Sequence, residues 1–471
     1  MSKNCRKYTS EQDWLNAVWH IRMERLSIAN LLGNRPLERS ELEFLEAWSK
    51  HSDIEDRRLH LLESRLRYLL DTGEISAAEI EADRMVDRVK DTDKKSFIRR
   101  AHGWRAVVYR EQSRYPKAIA DFEMSEGCAE NELQLMEIWL DKGMTLVYAN
   151  RYQEAEKMLQ RAIAIAQKYN DINSQGIAWN NLGICYGQQC KSRPAIEAYD
   201  RAISLYHQTG YKLGSAMACG NLSEIYLSRG QLDKALELSR QCRKLGAEAE
   251  DVISIGLGQD ITGRIMFELE EYQEAAACLK KSFEIFSEVN DTVAQIMCGC
   301  HLISCLCCSG HIREAGEYLK QAEGILSPAE KPGKDYNVVV AKEAVLKTDK
   351  RYDQARELLE HFLNDTLLQN QNQAALGLKL AELYVLLGDS VKLRNMLKRL
   401  HTIPEEKLTD LFRVKMYSAG WTLYSGMGLI PEAGAQKSKG LALLKEMSGL
   451  YTDRGVWEKY CRKKEIRALL E

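Results

Sequence analysis

The sequence predicts an all-α fold, a stack of about ten helix pairs with a helical cap at each end, and three observations carry the prediction. A small or apolar residue recurs at Ala78, Ala118, Ala155, Ala195, Ala235, Ala275, Ala315, Ala355, Leu393 and Ala433, at intervals of 40 residues apart from one of 37 and one of 38. Between these markers the apolar residues fall at helical rather than alternating spacing. Prolines number only 7 in 471 residues, so long helices run uninterrupted. A period of this size describes a helical hairpin that buries its apolar face only against its neighbours.

Composition narrows the function classes. With 66 basic and 68 acidic residues the net charge is −2, and no bulk charge steers the chain to nucleic acid or to an anionic membrane. No run of 18 apolar residues suits a membrane span. The opening MSKNCRKYTSEQDW lacks the apolar stretch of a secretion signal. Thirteen cysteines, an odd number spread through helical stretches, read as free thiols of a reducing compartment. The expectation is a soluble cytoplasmic protein with no cofactor, no metal, and neither nucleic acid nor membrane as partner. Its oligomeric state is left open.

Residues 1–58 read as an N-terminal helical cap or docking hairpin. Its first helix carries Ser10 and Asp13 in a capping-box pattern. Trp14, Leu15, Val18, Trp19, Arg22, Leu26 and Ala29 follow the apolar edge of that helix. A second helix over about 36–50 places Leu42, Leu45 and Trp48 on one side. Repeats then fill 59–451.

The clearest repeat is Gly176–Leu205. Trp179, Leu182, Gly183 and Tyr186 stand at i, i+3, i+4 and i+7 on one helix face, and Gly183 admits a close-packed partner helix. After a polar turn, Pro194 opens a second helix, where a missing N–H costs little. Ala195, Tyr199 and Ala202 face back from it. The next unit places Leu222, Ser223, Tyr226 and Ala235 at the same points, and the one after places Gly263, Met266 and Ala275. Gly143, Leu146 and Ala155 precede them, and Leu302, Leu306 and Ala315 follow. Pro116 and Pro431 begin second helices as Pro194 does. The poorest fit is about 336–362, where Glu343 replaces the small residue at the crossing. The polar inter-repeat turns fall in register at Asn170-Asp171, Gly210-Tyr211, Glu250-Asp251 and Asn290-Asp291. The loop 327–337 is a candidate break. Residues 452–471 read as a capping helix, with Trp457, Tyr460 and Cys461 inward and Lys459, Arg462, Lys463, Lys464 and Arg467 on a solvated face.

In residue type and spacing, Gly176–Leu205 resembles the tetratricopeptide repeat. The resemblance implies a right-handed superhelical solenoid. The 40-residue period exceeds the usual length of about 34. In this respect the chain is similar to Leu-Gly-Asn adaptors, kinesin light chains and Rap-type bacterial sensors, all of which bind a peptide or protein segment. In such arrays an Asn before the Leu-Gly pair hydrogen-bonds the backbone of an extended ligand. Here Asn181 precedes Leu182-Gly183 and Asn221 precedes Leu222-Ser223, whereas Ile261 and His301 depart from the pattern. Asn180, Glu224, Asp260, Arg264 and Glu268 complete a polar stretch, and these seven residues are the candidate partner-binding groove. Asn181 and Asn221 are expected to face solvent in the free protein.

Catalysis has no foothold in the sequence. The chain holds no G-x-x-x-x-G-K-S/T, H-E-x-x-H or G-x-S-x-G pattern. Cys298, Cys300, His301, Cys305, Cys307 and Cys308 lie on one predicted helix, and a closed tetrahedral site needs ligands converging from more than one face. Cys298 and Cys305 also fall at repeat positions used for packing. The reading is a non-catalytic scaffold or adaptor that holds a peptide or protein segment in its groove. The alternatives are a ligand- or peptide-responsive regulatory sensor, or an accessory subunit of a separately encoded enzyme.

Overall fold

The computed structural model describes residues 11–31, 35–49, 55–326, 336–363 and 371–470. Ser10 of the expected capping box, the side chains of Asp13, Trp14 and Leu15, and 327–335 of the candidate break lie outside the described residues. Two compact units are present, Met1–Ser174 and Gln175–Glu471. All regular structure among the described residues is helical.

The first unit opens with α1 (Glu11–Leu31) and α2 (Arg35–Ser49), followed by the pairs α3 (Glu55–Asp71) with α4 (Ile75–Val89), α5 (Lys95–Glu111) with α6 (Tyr115–Gly127), and α7 (Glu132–Tyr148) with α8 (Tyr152–Lys168). On α1, Trp19, Leu26 and Ala29 are buried as the pattern requires, and Trp19 packs on Trp48 of α2 with ring centroids 5.7 Å apart. Arg22 sits on the same edge for a different reason: its guanidinium donates to Glu41 at 3.0 and 2.9 Å.

The helix α9 (Ile172–Gln188) carries the chain into the second unit. There follow α10 (Ser192–Thr209), α11 (Lys212–Ser228), α12 (Leu232–Glu248), α13 (Val252–Glu268), α14 (Tyr272–Glu288), α15 (Thr292–Cys308) and α16 (Ile312–Ile325). After these come α17 (Tyr336–Thr348), α18 (Tyr352–Leu363), α19 (Gln371–Leu386), α20 (Ser390–Leu400), α21 (Asp410–Gly426) and α22 (Ile430–Ser448). The short helices α23 (Arg454–Cys461) and α24 (Lys464–Leu470) end the described chain. From α3 to α22 the helices make ten consecutive pairs.

Turn stereochemistry explains the 40-residue period. From α11 to α15 each helix has 17 residues, and a three-residue turn separates it from the next. The middle residue of each three-residue turn is left-handed: φ is +59° at Asn150, +54° at Asn170, +68° at Gly230, +55° at Glu250, +61° at Glu270 and +56° at Asn290, and Gly210, the first of two residues between α10 and α11, is at +70°. Such a residue ends a helix and lets following N–H groups return to its last carbonyls. Arg151 N–H reaches the Leu146 carbonyl at 2.8 Å, and Asp251 N–H reaches that of Gly246 at 2.8 Å. The aspartates of the polar turns then cap the next helix: Asp251 accepts from Ser254 N–H at 2.9 Å and Asp291 from Ala294 N–H at 3.0 Å.

The markers pack as their pattern requires. Ala155, Ala195, Ala235, Ala275, Ala315 and Ala355 are fully buried. A Cβ on Gly183 would lie 2.6 Å from the Tyr199 ring, and one on Gly263 would lie 2.6 Å from Leu279. Cys298 and Cys305 are fully buried packing residues, and burial pushes their thiols up to about 12 and about 11. Glu343, the misfit at a crossing, is also fully buried, and Lys379 of α19 donates to it at 2.8 Å.

Candidate functional site

Asp260, Arg264 and Glu268 recur every four residues along α13 and so share one face. The neighbouring first helices turn matching side chains toward them. Arg264 Nη1 donates to Glu224 of α11 and, at 3.4 Å, to Asp260 Oδ2. His301 of α15 reaches Asp260 Oδ1 through Nδ1 at 2.9 Å. One repeat earlier, Asn221 Nδ2 donates to Asn180 Oδ1 of α9 at 3.1 Å. The result is a polar stripe across α9, α11, α13 and α15, linked by side chains 40 or 41 residues apart.

Six of the seven groove candidates are thereby placed: Asn180 and Asn221 together, Glu224 with Arg264 and Asp260, and Glu268 one turn further along α13. Asn181 enters none of these contacts. It is 8% exposed, as buried as Asn180 at 7%, so the expectation that it faces solvent is corrected, while Asn221 is half-buried. The side chain that meets Asn221 belongs to the preceding residue, because this contact spans 41 residues rather than the 40 of the repeat.

The stripe is charged, with Asp260 and Glu268 buried and Glu224, Arg264 and His301 half-buried. Asp260 is 1% exposed, and burial alone would raise its pKa. His301 and Arg264 outweigh that effect and hold the carboxyl below the usual range. Burial works against the Arg264 cation, yet Glu224 and Asp260 keep its pKa above the ordinary value. Glu268, buried as well, is brought down to about 2 because two lysines offset its desolvation. Lys415 of α21 donates to it at 2.5 Å, and Lys463, between α23 and α24, at 2.9 Å.

The Lys463 contact corrects a second expectation. Lys463 is 7% exposed and bonded inside the protein, whereas Lys459, on the expected solvated face, stays exposed and pairs with Glu271 at 2.8 Å. The C-terminal helices therefore come back onto α11–α14. The Tyr451 hydroxyl donates to the Gly230 carbonyl and accepts from Leu232 N–H at 3.4 Å. Asp233 Oδ2 accepts from Thr452 N–H at 2.6 Å, from the Thr452 hydroxyl at 2.7 Å and from Asp453 N–H at 3.0 Å. Beside Arg264 lies a cavity of about 230 Å³. Leu227, Phe267, Leu279 and Leu411 form its apolar wall, and Arg264, Glu268, His301 and Ser304 its polar one.

Sequence reasoning did not assign Lys415, Lys463 or Leu411 to this region. It treated His301 as a departure from the Asn pattern, although His301 continues the stripe through its bond to Asp260. The cysteines of α15 do not enter the site: Cys300 and Cys307 are buried, and burial raises the Cys307 thiol to about 11, away from the reactive thiolate. Among the described residues no three His, Cys, Asp or Glu side chains are grouped to hold a metal ion. Among them, too, no helix is long and apolar enough to cross a membrane.

Fold and stripe together define a tetratricopeptide-type helical repeat array. The family described as the MalT-like TPR region matches residues 137–416, and a tetratricopeptide repeat family matches residues 97–168. The chain belongs to the MalT-like TPR family. Among solved structures it is similar to the apo form of RapI, with a TM-score of 0.52 and 12% identity over 73% of this chain and 96% of that one. A Rap protein complexed with competence and sporulation factor gives 0.48 at 12% identity, covering 83% of this chain and 99% of that one. The apo form of the quorum sensor NprR from B. thuringiensis gives 0.47 at 13% identity, covering 81% and 97%. At these identities the likeness to RapI is one of fold. No curated protein matches the chain.

Proposed function

We propose that this chain is a non-catalytic regulatory protein of the cytoplasm that recognises a peptide or protein segment along the stripe of α9, α11, α13 and α15 and responds by a change in its C-terminal closure. The stripe is the observation that carries this reading. Hydrogen-bonding side chains from consecutive repeats line up there, as an extended backbone requires, and they end at a cavity with apolar and polar walls. A responsive protein is favoured over a static adaptor by the position of Glu268. It holds the returning helices through Lys415 and Lys463, and it lies one helical turn from Arg264 of the stripe. A ligand that engages Arg264 would change the field at Glu268 and bias the closure, which is how a ligand shifts a two-state equilibrium.

Capture of the full chain from its native host, followed by mass spectrometry, tests the proposal. A small peptide eluting from the wild type and absent from Asn221→Ala supports it. A large stable complex retained equally by both forms points instead to an adaptor that uses another surface.

A further inference from the structure

We infer that the first unit carries a separate binding site, on α3, α5 and α7, for a small amphipathic carboxylate: an apolar body with a carboxylate group beside it. The site shares no residue with the stripe of the second unit and does not depend on the function proposed for it.

Gly103 is the starting point. A glycine in a helix interior weakens the helix, so it needs a reason. Gly143 has one, since a Cβ there would lie 2.8 Å from Leu159. At Gly103, near the middle of α5, a Cβ would meet only the Ser125 hydroxyl at 3.5 Å, an ordinary contact. Packing does not demand this glycine. Its missing side chain instead contributes to a cavity of about 360 Å³, within the size range of small-molecule sites.

The cavity walls are apolar at Trp104, Val107, Phe122 and Ile138, cationic at Arg67, Arg99 and Arg100, and anionic at Glu63, Glu137 and Asp141. Arg100 is already engaged, its Nε donating to Glu63 at 2.7 Å. Asp141 is likewise held, by Arg110 at 3.2 Å. Arg99 is not served in this way. Its Nε is buried with no hydrogen-bond partner, and its ion pair with Glu137 is loose, at 3.8 Å to a carboxylate that is 66% exposed. Arg67 rests its guanidinium over the Trp104 ring at 5.8 Å. The Nε itself is sealed from solvent, but Arg99 lines the cavity with only that loose pair on its terminal nitrogens, and a carboxylate would bond those nitrogens through charge-assisted contacts. The apolar walls beside it take the ligand's body.

N-acetyl-phenylalanine, its amide and Gly-Gly-Gly-Phe with a free C-terminus serve as probes in ligand-observed NMR titrations of the full chain. The acid should bind at millimolar concentration, and the amide should bind at least about tenfold more weakly, the loss of a charge-assisted bond. Arg99→Gln should weaken the acid to a similar degree. Gly103→Leu should abolish binding by filling the cavity, while Asn221→Ala leaves it unchanged. Tighter binding of the tetrapeptide identifies a peptide terminus as the source of the carboxylate, and equal binding a free small molecule. Thermal melts of both cavity variants confirm folding, and Arg99→Gln decides the matter if Gly103→Leu does not fold. The inference is overturned if acid and amide bind alike, if Arg99→Gln binds as the wild type does, or if no probe binds at millimolar concentration.

Discussion

The inner positions of α13 and α5 show two ways of building the same repeat. Around α13 each charge has a counter-charge: Asp260 with His301 and Arg264, Arg264 with Glu224, and Glu268 with two lysines. Gly263 on that helix is forced by Leu279. Around α5 the Arg99 Nε has no acceptor, and a Cβ on Gly103 would meet only the Ser125 hydroxyl, at an ordinary 3.5 Å. The repeat period fixes where helices cross. It does not fix which inward side chains are saturated, and that difference separates a coupled network from a vacancy.

The largest effect should come from breaking the saturated region. Glu268→Leu leaves Lys415 and Lys463 without their shared anion, and Lys463 is buried in the fold. Loss of one partner from a buried ion pair costs about 3 kcal/mol or more, which urea denaturation should register. Arg99→Gln, by contrast, should leave stability nearly unchanged, since its pair is loose and its partner exposed. Equal losses in the two variants would erase the distinction.

The same network has a pH signature. Glu268 is lowered from an ordinary 4.5 to about 2, so the folded state favours its ionised form. Its contribution is therefore complete above the unfolded value and lost as the pH falls from about 4.5 toward 2. The stability difference between wild type and Glu268→Gln should be flat above that window and shrink within it. A difference that grows on acidification would contradict the assignment.

Glycine substitutions sharpen the comparison. Gly183→Ala pushes a methyl group against the Tyr199 ring and should cost about 1–3 kcal/mol. Asn221→Ala removes one partly buried hydrogen bond and should cost about 0.5–1.5 kcal/mol. Gly103→Ala should raise stability by about 0.5–1 kcal/mol, because the methyl group fits and the helix gains. Melting curves of the three variants in parallel give the order. A destabilised Gly103→Ala would mean that the glycine is there for packing after all.

How much of this was legible in the sequence follows from the range of each interaction. The helix pairs were legible because crossing residues, polar turns and capping aspartates are local and repeat every 40 residues, so each repeat restates the others. Within the stripe, Asn221, Asp260 and Arg264 were legible as polar residues on first helices. The choice between Asn180 and Asn181 was not, since it depends on the offset at which neighbouring helices meet. The fate of Lys463 was illegible for a stronger reason. Its local window is basic and reads as solvated, whereas its burial depends on Glu268, 195 residues away. Glu343 was recognised as a misfit, but its partner Lys379 lies in the next repeat and breaks no local rule. The vacancy at Gly103 had one faint signal, a glycine inside a helix with no aromatic or leucine neighbour assigned to it.

Hydrogen exchange of the full chain, with and without the ligand captured from the host, tests the central claim most directly. The account predicts slowed exchange confined to α9, α11, α13 and α15, together with altered exchange over Tyr451–Lys463, where the closure sits. Protection on other helices, with the stripe and the C-terminal segment unchanged, would contradict it.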